Sequence, residues 1–203
     1  MASPSQPPLF PLFPLNTVLF PGGRLPLRIF EQRYVEMAKA CLRDDTPFGV
    51  CLILRGAEVL SKGAAAPEFA TIGTLARIET WDMPQQGILQ VRAAGGTRFE
   101  VRAHAMRENG LVMGDISPLA AEPRVALGAG FEPLAQLLEL LAARAGPHQF
   151  PDERLFDDAS WVGYRLTELL PLPLSIKQHS LEINDAEIRL SVLQGFLKQQ
   201  GLM

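Results

Sequence analysis

The sequence predicts an α+β protein, a curled antiparallel β-sheet or barrel with one helix followed by a C-terminal helical bundle. Three observations lead there. Between residues 71 and 116 apolar and polar residues alternate with a period of two, the pattern of half-buried strands. After Pro118 the period lengthens to about 3.6, that of amphipathic helices. Before both lies a Pro-broken apolar run, residues 9–23, which cannot be helix. Runs of strands followed by runs of helices make an α+β chain. The organisation expected is a loose tail over 1–8, a β domain over 9–118 and a helical domain over 119–203.

The elements follow in order. Pro11, Pro14 and Pro21 lack an N–H and fix φ, so the opening reads as short extended pieces separated by turns, and not as a central strand. Pro21-Gly22-Gly23 is a turn, and 25–29 is the next strand. Phe30, Tyr34, Met37, Ala38, Cys41 and Leu42 recur at helical spacing, which predicts a helix of about three turns with one buried face. It stops at Asp44-Asp45-Thr46-Pro47, because proline disfavours the helical conformation in the residue before it. The apolar run 48–54 is a strand covered on both faces, and 56–68 is loop-like. The strand 71–80 contains Gly73, which suggests a bulge. Gly95-Gly96 is a kink or turn. Phe99, Val101 and Ala103 point inward, with Arg98, Glu100 and Arg102 outward. Asn109-Gly110 is a hairpin turn. Leu134, Leu137, Leu138 and Leu141 form one helical stripe. Trp161, Val162, Leu166, Leu169 and Leu170 form a second, 174–181 is a short helix, and Asn184 with Glu187 caps a last one.

The 203 residues are 47% hydrophobic and carry a net charge of −3, an ordinary globular balance that counts against a general nucleic-acid binder. The chain is near neutral up to Pro118 (12 Lys+Arg, 11 Asp+Glu) and acidic beyond it (7 against 11). Two cysteines cannot build a disulfide framework. The absence of a basic start or a long apolar run points to a soluble protein of the reducing cytosol, with no membrane partner.

Catalytic constellations are missing. There is no phosphate-cradling G-x-x-x-x-G-K-[ST] and no G-x-S-x-G nucleophile elbow, and Gly128-Ala129-Gly130 is a lone G-x-G. Cys41 and Cys51 read as small core hydrophobes. His104, His148 and His179 lack a partner at zinc-ligand spacing, and His104 should face solvent. Asp44-Asp45 reads as a turn and Asp157-Asp158 as a helix cap. Adjacent Ser61-Lys62 in a loop makes no nucleophile–base geometry by itself. No cofactor, metal or enzymatic activity is expected.

The segment Leu9-Phe10-Pro11-Leu12-Phe13-Pro14-Leu15-Asn16-Thr17-Val18-Leu19-Phe20-Pro21-Gly22-Gly23, continuing through Arg24 to Phe30-Glu31, resembles the start of the LON domain, the substrate-binding region at the N-terminus of Lon proteases. The likeness continues at Arg33-Tyr34, Phe48-Gly49-Val50, residues 72–78, Gly96-Thr97-Arg98-Phe99, and residues 164–173 with Lys177-Gln178. The resemblance implies a PUA-like sheet or barrel followed by a helical bundle, without the ATPase and peptidase of full-length Lon. It also implies a non-catalytic module for unfolded or extended polypeptide, with a separate protease or chaperone as a further partner. A contact surface is expected around Phe20, Phe30, Glu31, Arg33 and Tyr34. Core packing is the commoner meaning of Phe30 and Tyr34, given their helical spacing, so Glu31 and Arg33 are the better candidates for exposed contacts. The alternative is RNA binding, since PUA-like folds elsewhere contact RNA and Arg92, Arg98 and Arg102 could share a sheet face. That patch lacks interleaved aromatics.

Overall fold

The computed structural model describes residues 9–59, 65, 67–144 and 154–201. The expected tail over 1–8, Ser61-Lys62 and His148 lie outside them. Seven strands and five helices are present among the described residues: β1 Phe10–Leu15, β2 Arg24–Ile29, α1 Gln32–Asp44, β3 Phe48–Arg55, β4 Glu68–Phe69, β5 Ile72–Gln85, β6 Ile88–Met106, β7 Val112–Pro118, α2 Glu132–Arg144, α3 Ala159–Leu169, α4 Leu174–Glu182 and α5 Ala186–Gln199.

The sheet runs β1-β7-β6-β5-β3-β4, and a β1–β3 pairing closes it into a barrel. That closing pair is parallel, and the others are antiparallel. β1 is therefore a central strand despite Pro11 and Pro14, contrary to the sequence expectation. The reason is a stagger. β7 pairs with Phe10 to Leu12 and β3 with Leu12 to Leu15, so each proline has a registered neighbour on one side only. Among the described residues β2 pairs with β6 alone.

Two glycine readings change. Gly73 marks no bulge but a close approach: it pairs with Phe99, and a Cβ there would press on the Val50 carbonyl oxygen, the Phe99 ring and Cys51 Sγ. Gly95 and Gly96 do not turn the chain. They lie inside the 19-residue β6, where the register slips between Thr74 and Ala76 of β5. The Asn109-Gly110 turn forms as expected, with Gly110 at φ 85° and the Asn109 side chain accepting from the Leu111 amide at 3.0 Å.

Helix α1 buries Arg33, Tyr34, Val35, Met37, Ala38 and Cys41. It ends on Asp45 in the left-handed conformation (φ 50°), where the Thr46 amide donates to the Cys41 carbonyl. The barrel interior gathers Phe13, Leu15, Ile29, Phe48, Val50, Leu89, Val91 and Ala93 against this helix. Helices α2, α3 and α5 share a second core built on Leu134, Leu138, Val162, Leu166, Leu190 and Leu193. Asp158 caps α3 through the Ser160 and Trp161 amides. Helix α5 is capped by Asp185, one residue after the expected Asn184, because the Asn184 side-chain oxygen Oδ1 accepts from Arg98 at 2.9 Å.

Barrel and helices meet on Glu122. Its carboxylate receives Arg189, the Tyr164 hydroxyl and the Ser160 hydroxyl, and pairs with Arg98 at 3.1 Å. Burial alone would raise the Glu122 carboxyl, but hydrogen bonds from Arg189, Tyr164 and Ser160 outweigh it and hold it below its ordinary value. A group depressed in the folded state contributes stability above its unfolded pKa, near 4.3, and that stability is lost as pH falls through the folded value. Urea midpoints are therefore expected to drop below about pH 4, and Glu122→Gln is expected to flatten that drop.

Candidate functional site

The unpaired edge of β2 borders a groove of about 390 Å³, walled by Phe13, Leu15 and Thr17 from β1 and its following turn, residues 25–29 of β2, Phe30, Glu31 and Tyr34, with Glu58 and Val59 opposite. Side chains alternate along β2, so Leu25, Leu27 and Ile29, partnered with Ala93, Val91 and Leu89, take the core side, and Pro26 and Arg28 take the outer side. Phe30 is 57% exposed and Val59 53% exposed. Two large apolar side chains on the rim of an apolar groove are more informative than scattered exposed leucines.

Arg33 shapes this rim from beneath. It is buried, and its guanidinium donates to the Gly110 carbonyl at 2.8 Å, to the Glu31 carboxylate at 2.8 Å and to the Glu58 carbonyl at 3.3 Å. It also lies over the Tyr34 ring at 4.3 Å. The Glu58 carboxylate accepts from the Asn16 amide. One cation thus ties the start of α1, the β6–β7 turn and the 56–59 segment together. Tyr34 stacks on Phe13 with ring centroids 3.8 Å apart, and burial pushes its hydroxyl up to about 12. It remains neutral at physiological pH and forms the groove floor.

Of the five residues expected at a contact surface, Phe30, Glu31 and Tyr34 line the groove, and the expected exposures are reversed at Phe30 and Arg33. Phe30 lies outside the helix and is exposed, because the chain enters α1 only at Gln32. Arg33 is buried, because backbone carbonyls and Glu31 accept from its two terminal guanidinium nitrogens inside the protein, although its Nε has no partner among the described residues. Glu31 is half-buried, its carboxylate turned back to Arg33. Phe20 is fully buried against Tyr164, away from the groove. Tyr34 fills the core as expected and also lines the groove. Sequence reasoning missed Leu25, Leu27 and Val59. The two leucines carried a signal, a strand flanked by turns. Val59 sat in a stretch whose position depends on the long-range Arg33 contact.

The other candidates resolve plainly. Arg98 is buried between the barrel and α4–α5, donating to the Leu181 carbonyl at 2.6 Å, so Arg92, Arg98 and Arg102 form no common surface patch. The alternation failed there because helices cover that part of the sheet. The expectation of an inward Ala103 fails too: Ala103 is exposed, since β6 has passed the core by then. His104 is exposed beside Phe69. Cys41 and Cys51 are buried free thiols, and burial pushes Cys51 up to about 12. The Gly130 amide donates to the Glu132 carboxylate at 2.7 Å, ahead of α2. Among the described residues no group of three or more His, Cys, Asp or Glu could hold a metal ion, and no helix is long and apolar enough to cross a membrane.

A family model described as the ATP-dependent protease La (LON) substrate-binding domain matches residues 10–199. The chain belongs to the LON substrate-binding domain family. Among solved structures, a Lon N-terminal domain protein from Xanthomonas campestris is 37% identical with a TM-score of 0.76, covering 93% of this chain and 98% of that one. The N-terminal domain of a Mycobacterium avium complex Lon protease has a TM-score of 0.59 at 16% identity, over 92% of this chain and 96% of that one, a likeness of fold alone. Lon protease 2 of Myxococcus xanthus is 44% identical over 73 residues, 36% of this chain. That match spans 8% of the relative's length. The groove residues of this chain, Phe13 to Val59, lie within the segment the family model matches.

Proposed function

We propose that this LON-domain protein holds extended or unfolded polypeptide segments, without cleaving them, in the groove between β2 and the start of α1. The observation that carries the reading is a strand with one unpaired edge opening onto an apolar groove whose rim residues, Phe30 and Val59, are exposed. A strand edge supplies backbone hydrogen bonds to any sequence, and an apolar groove selects alternate side chains. The family's description as substrate-binding supports the same reading. Delivery of the held segment to a separate protease or chaperone is part of the proposal, as is action in the cytosol.

Phe30→Ser tests it. Phe30 already faces solvent, so the variant should unfold within about 0.5 kcal/mol of the wild type. Its affinity for a labelled, permanently unfolded polypeptide should fall about tenfold, the loss of one exposed aromatic anchor. Fluorescence anisotropy reads the affinity, and electrophoresis should show the polypeptide intact after incubation with ATP and Mg²⁺. Unchanged affinity in Phe30→Ser, or cleavage, would sink the reading.

A further inference from the structure

We infer that the groove takes its polypeptide as an added antiparallel strand on β2, in a register that places an acidic side chain beside Arg28 and the next, apolar, side chain inside the groove. The inference rests on the polypeptide reading of that groove and specifies what it selects.

The register follows from one hydrogen bond. The Gly95 amide donates to the Gly23 carbonyl at 2.8 Å, and the pairing Arg24↔Ala94 through Ile29↔Leu89 runs on from it without a shift. In an antiparallel ladder, residues alternate between exchanging hydrogen bonds with the partner strand and directing their groups the other way. Leu25, Leu27 and Ile29 therefore bond to β6. Pro26 and Arg28 turn their backbone groups to the other edge, which has no paired strand among the described residues. Pro26, with no N–H to give, is compatible with that position alone.

Pro26 and Arg28 line the groove. Together they offer two carbonyls and one N–H. A segment residue opposite Arg28 can exchange two hydrogen bonds with it. The residue two further on can donate to the Pro26 carbonyl but finds no donor for its own. The residue between them, opposite Leu27, has its side chain on the core face of the sheet, toward Phe13, Leu15 and Tyr34. Those three side chains make that part of the groove apolar, with Glu31 and Glu58 elsewhere in its lining.

The residue opposite Arg28 lies on the outer face. There Arg28 is exposed, with no ion-pair partner among the described residues. The nearest carboxylate in its cross-strand row is Asp82, beyond Gln90. Arg92 stands on the same face, opposite Pro26. A cation left uncompensated beside an open strand edge is complementary to a carboxylate on the incoming strand. Pro26 has the further effect of withholding one donor, which discourages indiscriminate edge-to-edge pairing.

The probe is a labelled heptapeptide, Ser-Val-Glu-Leu-Thr-Val-Ser, titrated against the full chain at low salt by fluorescence anisotropy. Replacing its Glu by Lys should weaken binding about fivefold, and R28E should reverse that preference. N-methylation at Glu or at Thr should each cost several-fold, and N-methylation at Leu should cost little. Pro26→Ala should tighten binding about fivefold by restoring a donor. Arg28 and Pro26 are exposed, so these variants fold. If Phe30→Ser loses the peptide while R28E shows no reversal and the N-methyl scan is flat or shifted by one residue, this register is wrong and the groove reading stands. If Phe30→Ser binds as the wild type does, the groove reading itself fails.

Discussion

Replacing Arg189 by alanine is expected to destabilise the protein by about 3–5 kcal/mol, the cost of stranding the partners of a buried cation. Arg189 is fully buried. It donates to the Ser180 carbonyl at 2.9 Å, to the Ile183 carbonyl and to both oxygens of Glu122, and it lies 3.9 Å from the Tyr164 ring centroid. Its removal leaves the Ser180 carbonyl without that donor and weakens the compensation of the Glu122 charge. For a chain of this size each kcal/mol lowers the melting temperature by about 2–4 °C, so the melt should fall by about 10 °C. Glu122→Gln keeps a hydrogen-bonding amide in place and should cost less. Equal, small losses in both variants would show that the network does not hold barrel and helices together.

Gly95→Ala carries the second large effect, about 3 kcal/mol, at the upper end for a small-to-large change in a packed site. A Cβ at Gly95 would fall within contact of the Phe20 carbonyl oxygen and 3.1 Å from Leu19 Cγ. The obstacle is backbone, which no rotamer change can move. Gly95 also exchanges hydrogen bonds with the turn, accepting from Gly22 at 2.7 Å and donating to Gly23 at 2.8 Å. Gly96 is the internal control: its nearest neighbour is the Leu75 carbonyl oxygen at 3.5 Å, an ordinary contact. Gly96→Ala should lie within about 1 kcal/mol of wild type. Urea unfolding of the two variants should separate them by about 2 kcal/mol, and coincident curves would contradict the packing described.

The contrast between those neighbours also shows what the sequence could and could not reveal. Alternation located Leu89, Val91 and Ala93 on the core face, and helical spacing found Tyr34, Met37, Ala38 and Cys41, because burial against one face leaves a local period. Asp158 capped its helix as expected, a contact two and three residues long. Two of the failures, Arg98 and Arg33, are long-range, and that of Phe30 is local. Arg98 looked like an outward residue of a half-buried strand, and the end of α4 and the α4–α5 turn cover it from 83 and 86 residues away. Arg33 looked solvated, and the Gly110 carbonyl that anchors it lies 77 residues on. Phe30 looked like the first member of the α1 stripe, yet the helix starts two residues later. The groove was therefore legible as a neighbourhood, residues 30–34, but the division of labour inside it was not.

The central claim is that polypeptide sits between β2 and the start of α1. Amide and side-chain NMR shifts of the labelled protein, titrated with a permanently unfolded polypeptide, address it directly. The account predicts that the perturbed resonances cluster on Arg24 to Phe30, Tyr34 and Val59, with the Arg28 amide gaining protection from exchange. Perturbations confined to the α2–α5 helices, or to the outer face of the β5–β6 hairpin, would contradict it.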